Sequence, residues 1–243
     1  MNYKLLTLVL LCFLSFGFSN KNEDDVAAKK TSKPRLIATN HVVSSKSSSQ
    51  LFFDELEENN LTLPRFLSFE KAYEGYTQLK SQGFIDKDFL TIIDFSLSSN
   101  EERLWVIDMV SKKVVLHSLV AHGRNSGEEF ATKFSNKAES FQSSLGFYAT
   151  GEVYQGKHGL SLRLDGLEYG INDNARNRAV VIHGADYVSE KFANAQGRLG
   201  RSLGCPAVPY AIHKDFINLI KDKSCLFIYH PSRTYLAKSK LVS

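Results

Sequence analysis

The chain has 243 residues, 43% apolar and 23% charged, enough to bury a full core and unlike the composition of a disordered protein. Thirty Lys and Arg against 26 Asp and Glu leave a net charge of +4, with no basic block beyond pairs such as Lys29-Lys30. That balance gives nucleic acid no electrostatic footprint.

Lys4 followed by the apolar run Leu5–Phe18 reads as a secretory signal, with small residues at Gly17 and Ser19 placing cleavage after about Ser19. The run is shorter than the roughly 20 apolar residues of a membrane-spanning helix, so contact with the membrane is transient. An uncleaved anchor is the alternative. Cys12 leaves with the signal, and Cys205 and Cys225 remain. In an oxidising compartment they could pair as a disulfide.

Residues 20–50 are rich in Lys, Ser and Asn and predict a flexible tether. Residues 51–83 carry helical character over Leu51–Asn60 and Pro64–Gln82, where Phe66, Phe69, Tyr73, Tyr76 and Leu79 recur at three- and four-residue steps up to Gly83. From Phe89 the pattern changes to β-branched and aromatic runs: 90–95, 104–110, 114–121, 147–153, 160–164 and 179–183. Ser111-Lys112 predicts a tight hairpin, 210–220 a helix, and 225–229 a last strand. The expected fold is mainly β (α+β), a catalytic domain over 89–235 built on a mixed or antiparallel sheet, with two helices ahead of it.

The segment 180–209 carries the chemistry. The strand Val180-Val181-Ile182 delivers His183 and Gly184 to its own end; a Gly-, Arg- and Asn-rich loop follows, then Arg201-Ser202-Leu203-Gly204-Cys205-Pro206. A thiolate nucleophile needs a neighbouring base to take its proton, and His183 is that base for Cys205. The amides of Gly204 and Cys205 are the candidate oxyanion donors. The Gly184 carbonyl is the local group able to orient the imidazole. Arg198 and Arg201 are candidate ligands for a substrate carboxylate, and His122 is a candidate lining residue on a polar loop with Gly123. Cys225 lies in the apolar run Cys225-Leu226-Phe227-Ile228-Tyr229 and packs as a small hydrophobe. His158, His213 and His230 show no partner pattern.

His183-Gly184 followed by Ser202-Leu203-Gly204-Cys205 resembles the signature of the L,D-transpeptidase (YkuD-type) catalytic domain, over roughly 89–230. The segment Ser143-Ser144-Leu145-Gly146-Phe147-Tyr148 ahead of the active-site strands supports the resemblance. The commoner pattern has a second His before the Gly-Cys pair and an Arg soon after it. Here Leu203 and Pro206-Ala207 stand in those places, which marks a divergent branch.

The resemblance implies a cysteine-dependent enzyme of the bacterial periplasm or cell envelope, acting on peptidoglycan stem peptides. Cys205 would form a thioester with a tetrapeptide stem and release D-alanine, with Ser202 among the residues near the substrate. An amine from another stem, or from an envelope protein, then completes a transpeptidation; water instead gives an L,D-carboxypeptidase. No cofactor or metal is expected. Two rival readings remain: a zinc peptidase using His122 or His183 with Asp165 or Asp186, and a non-enzymatic wall scaffold stapled by a Cys205–Cys225 disulfide.

Overall fold

The computed structural model of the protein describes residues 46–56 and 61–242. The expected signal, 1–19, and most of the expected tether lie outside these residues.

Helix α1, Ser48–Asp54, begins inside the stretch expected to be tether. The serine run supplies its own cap, because the Ser47 hydroxyl accepts the Gln50 N–H at 3.2 Å and so satisfies one of the free donors of the first turn. Helix α2, Phe66–Ser81, buries Phe69, Ala72, Tyr76 and Leu79, the stripe that the three- and four-residue spacing predicts. Aromatic contacts join the two helices: Phe52 meets Tyr73 at 5.2 Å and Phe53 meets Phe66 at 5.2 Å between ring centroids.

The strands are β1 (Phe89–Asp94), β2 (Leu104–Asp108), β3 (Lys113–Ser118), β4 (Gly146–Gly156), β5 (Gly159–Gly166), β6 (Val181–Gly184), β7 (Ala207–Val208) and β8 (Cys225–Tyr229). They form one eight-stranded mixed sheet in the order β3-β2-β1-β8-β4-β5-β6-β7. Pairs β1–β8 and β6–β7 are parallel and the rest antiparallel. The last strand therefore lies in the middle of the sheet. Its five residues are all buried, as are the central residues of β1 and β2, which is why these segments read as continuous apolar runs rather than alternating ones. Helix α2 packs over β1 and β8, and its buried stripe belongs to the same apolar core as the strands.

Three elements were not expected. Helix α3, Glu190–Gln196, lies in the stretch read as an irregular loop; Ser189 caps it by accepting the Phe192 N–H, and Gly197 ends it at φ 71°. Strand β7 has only two residues. Helix α5, Arg233–Lys238, carries the domain past residue 235. It is held by the buried Glu168, whose carboxylate accepts the Tyr235 hydroxyl at 3.1 Å, the Ser239 hydroxyl and the Phe147 N–H at 2.8 Å. Helix α4, His213–Ile220, packs against β5 and β6.

Candidate active site

Strand pairing brings His183 and Cys205 together. Parallel strands β6 and β7 place His183 opposite Ala207 and Gly184 opposite Val208. Two residues upstream on each side, Cys205 meets Val181: the Val181 N–H points at the sulfur at 3.5 Å, and the thiol donates to the Ala179 carbonyl at 3.7 Å. Cys205, just ahead of β7, thus lies beside β6, two residues along from His183.

The His183 ring is fixed by its own neighbour. Nδ1 lies 2.9 Å from the Gly184 carbonyl oxygen. A carbonyl can only accept, so Nδ1 carries the proton and Nε2 keeps the lone pair that a base needs. Burial holds the imidazole below its ordinary pKa, and the rings of His158 and His213 add to that. Burial also raises the Cys205 thiol, with the Val181 N–H and the Arg178 charge opposing it. Both effects favour a resting thiol beside a neutral imidazole over a preformed ion pair.

The turn that presents Cys205 is braced from both sides. Ser202 Oγ donates to the Cys205 carbonyl at 2.6 Å and accepts the Gly204 N–H at 3.0 Å. Gly204 stands at φ 127°, a conformation that a side chain strongly disfavours. Ser143, fully buried, donates to the Gly204 carbonyl at 3.1 Å and accepts the Gly123 N–H at 3.0 Å. A β-carbon on Gly123 would lie 2.8 Å from the Gly204 Cα, so only glycine lets these backbones pass so closely. Of the two expected oxyanion donors, the Gly204 amide is committed to Ser202. The Cys205 amide has no acceptor among the described residues.

The other expected site residues are each held by protein partners. Ser202 braces the turn. His122 is 1% exposed, with Nδ1 accepting from Arg103 at 2.8 Å and Nε2 pointing at the Gly127 carbonyl at 3.4 Å. Burial, then the Arg103 charge, lower its pKa to about 4. Arg198 and Arg201 both pair with the exposed Glu128, at 3.0 and 2.6 Å. Cys205 and Cys225 are both free thiols, and Cys225 is buried in β8, so the disulfide of the scaffold reading is not formed. Asp165 is bound to Arg176 and does not join the histidines that the zinc reading needs.

Two residues that lie by His183 and Cys205 had no sequence signal strong enough to single them out. His158 sits in the turn of the β4–β5 hairpin, between the paired Gly156 and Gly159, and its ring stacks on His183 at 4.6 Å and 23°. Arg178 precedes β6 and its charge reaches Cys205. The Gly156…Gly159 spacing marks a hairpin, but only the pairing of β5 with β6, Ser161 opposite His183, brings its tip over the base.

Comparisons with known proteins show the family. A family profile described as the L,D-transpeptidase catalytic domain matches residues 62–229, more than half of the chain. No curated protein matches significantly. Among solved structures, an L,D-transpeptidase from Mycobacterium smegmatis is 12% identical, with 59% of each chain covered and a TM-score of 0.37. The helical cell shape determining protein Pgp2 from Campylobacter jejuni is 12% identical, covering 66% of this chain and 57% of its own, with a TM-score of 0.38. L,D-transpeptidase 3 from Mycobacterium tuberculosis is 9% identical, covering 59% and 61%, with a TM-score of 0.37. This chain spans about three fifths of the length of these structures. Through the match over 62–229, the chain belongs to the family of L,D-transpeptidase catalytic domains.

Proposed function

We propose that this protein is an exported peptidoglycan L,D-transpeptidase with Cys205 as nucleophile and His183 as general base. The observation that carries the reading is the β6–β7 register, which sets the cysteine turn beside the strand bearing an imidazole whose Nδ1–H is tied to Gly184.

The chemistry follows from these groups. His183 Nε2 takes the thiol proton as Sγ attacks the carbonyl carbon between the third stem residue, a diamino acid, and the following D-alanine. The C–S bond forms, and the Cys205 N–H faces the developing oxyanion. As the intermediate collapses, the C–N bond breaks and the imidazolium returns its proton to the departing D-alanine amine. An amine of a second stem, or of an envelope protein, then attacks the thioester, giving up a proton to His183 while the C–S bond breaks and the thiol is restored. Water in place of the amine trims the stem without a cross-link, the carboxypeptidase outcome of the same site. The thiol, imidazole and amide are all supplied by the chain itself. The apolar run 5–18 supports export to the periplasm or cell envelope.

The test is to incubate purified protein and its Cys205→Ala variant with disaccharide-tetrapeptide and follow products by mass spectrometry. Loss of D-alanine together with cross-linked dimers, absent in the variant, is the expected result. Loss without dimers assigns the carboxypeptidase, and an inert wild-type protein overturns the catalytic reading.

A further inference from the structure

Arg178 stands just ahead of β6, and its guanidinium is pinned by four acceptors. Nη1 donates to the Ser135 carbonyl at 2.8 Å and the Ser144 hydroxyl at 2.5 Å; Nη2 donates to the Ser140 hydroxyl at 3.2 Å and the Gln142 carbonyl at 2.7 Å. Every partner is neutral. Two residues earlier, Arg176 is instead bound by the carboxylates of Glu152 and Asp165. A part-buried guanidinium solvated only by neutral dipoles keeps an uncompensated charge, a costly arrangement on stability grounds alone.

That charge is aimed at the back of the cysteine turn. Arg178 Nη2 lies 3.5 Å from the point that a β-carbon on Gly204 would occupy. The Cys205 thiol in turn rests on the carbonyl of Ala179, the residue next to Arg178. The charged or titratable groups that interact with Cys205 are Arg178 and Tyr187, and His183 stands two residues along β6 from Val181, whose N–H meets the sulfur. Burial raises Tyr187 to about 12 and lowers His183, so both are neutral at pH 7 and Arg178 alone of the three carries a full charge.

Resting on the reading of Cys205 as nucleophile, we propose that Arg178 is the fixed positive charge that stabilises the Cys205 thiolate as His183 generates it. With all four terminal donors held, the guanidinium cannot swing away, so it acts through space at constant distance rather than as a ligand. It is a positioning residue that works through the sulfur.

The test needs no peptidoglycan. The rate of Cys205 alkylation by iodoacetamide is followed against pH in the protein from residue 20 onward, which lacks Cys12, with Cys205→Ala as the check that buried Cys225 does not react. Arg178→Gln is expected to raise the midpoint of the curve by about one pH unit, which slows alkylation about tenfold near neutral pH because only the thiolate reacts. Arg178→Lys, which keeps the charge, is expected to stay within about half a unit of wild type. Ser144→Ala loosens the clamp but keeps the guanidinium, and is expected to leave the midpoint in place. An unchanged midpoint in folded Arg178→Gln overturns the proposal, as does an equal rise in Ser144→Ala. Should the Gln variant fail to fold, as judged by far-UV dichroism and melting, a rise of a full unit in folded Arg178→Lys overturns it instead. A protein that alkylates as expected but releases no D-alanine from tetrapeptide counts against the transpeptidase reading and leaves this proposal standing.

Discussion

At the scale of the residue, the candidate site is marked by where its protons are fixed. The Gly184 carbonyl selects the tautomer of His183, and burial together with His158 and His213 holds its pKa below 6.5. A base of this kind acts when neutral, so activity is present above its pKa and falls as pH drops through it. The expected profile of kcat/KM on tetrapeptide is a single acid limb with its midpoint below 6.5; an inflection above 7 would show that the imidazole is not held neutral. Cys205 and His183 stood out in the sequence because they occupy one short motif with a shared chemistry, and the structure sets their two segments side by side; Gly204 was read there as an oxyanion donor, whereas its amide is bonded to Ser202 and its positive φ shapes the turn. Arg178 and His158 did not stand out. An Arg among many and a His in a turn acquire meaning only when a hydrogen-bond clamp or a strand register brings them to the sulfur or the ring.

At the scale of the element, strands with strong apolar runs were legible to within about three residues at each end. The run 225–229 was predicted and forms β8 with the same limits. Elements fixed by tertiary partners were missed: two residues of β7 carry no periodicity and exist because β6 and the backbone of Ala121 pair with them. Helix α5 belongs to this class, since its anchor is Glu168, 67 positions from Tyr235 in sequence. Tyr235 is 4% exposed and Glu168 6%. Removing the hydroxyl in Tyr235→Phe strips a donor from a buried carboxyl and is expected to cost about 1–3 kcal/mol. The urea midpoint of unfolding measures it, and no change in that midpoint would show that α5 is anchored elsewhere.

At the scale of the whole molecule, acid sensitivity follows from histidines that fold neutral. His122 is the clearest case, its pKa lowered from 6.5 to about 4 by burial and by Arg103. The unfolded chain binds the proton more readily, so this contribution to stability is present above about pH 6.5 and is lost as pH falls toward and through 4. The full difference is on the order of 3 kcal/mol. Removing the imidazole in His122→Asn is expected to flatten the decline of the melting temperature between pH 6.5 and 4 relative to wild type, whatever its effect at neutral pH. Parallel curves would place the acid sensitivity in other groups, His183 and His230 being the next candidates because burial lowers both.

The central place of β8 has a consequence for the order of folding. Strands β3-β2-β1 form one half-sheet and β4-β5-β6-β7 the other, and both expose unpaired hydrogen-bonding edges until residues 225–229 slide between them. A chain made from its amino end completes its apolar core only when its final strand arrives. Such long-range closure places folding among the slow topologies, in the millisecond-to-second class. It also makes the turn of Cys205, whose half-sheet joins the rest through β8, one of the last regions to acquire its geometry. A chain stopped at Ser224 would then carry Cys205 and His183 in sequence and yet hold no working pair.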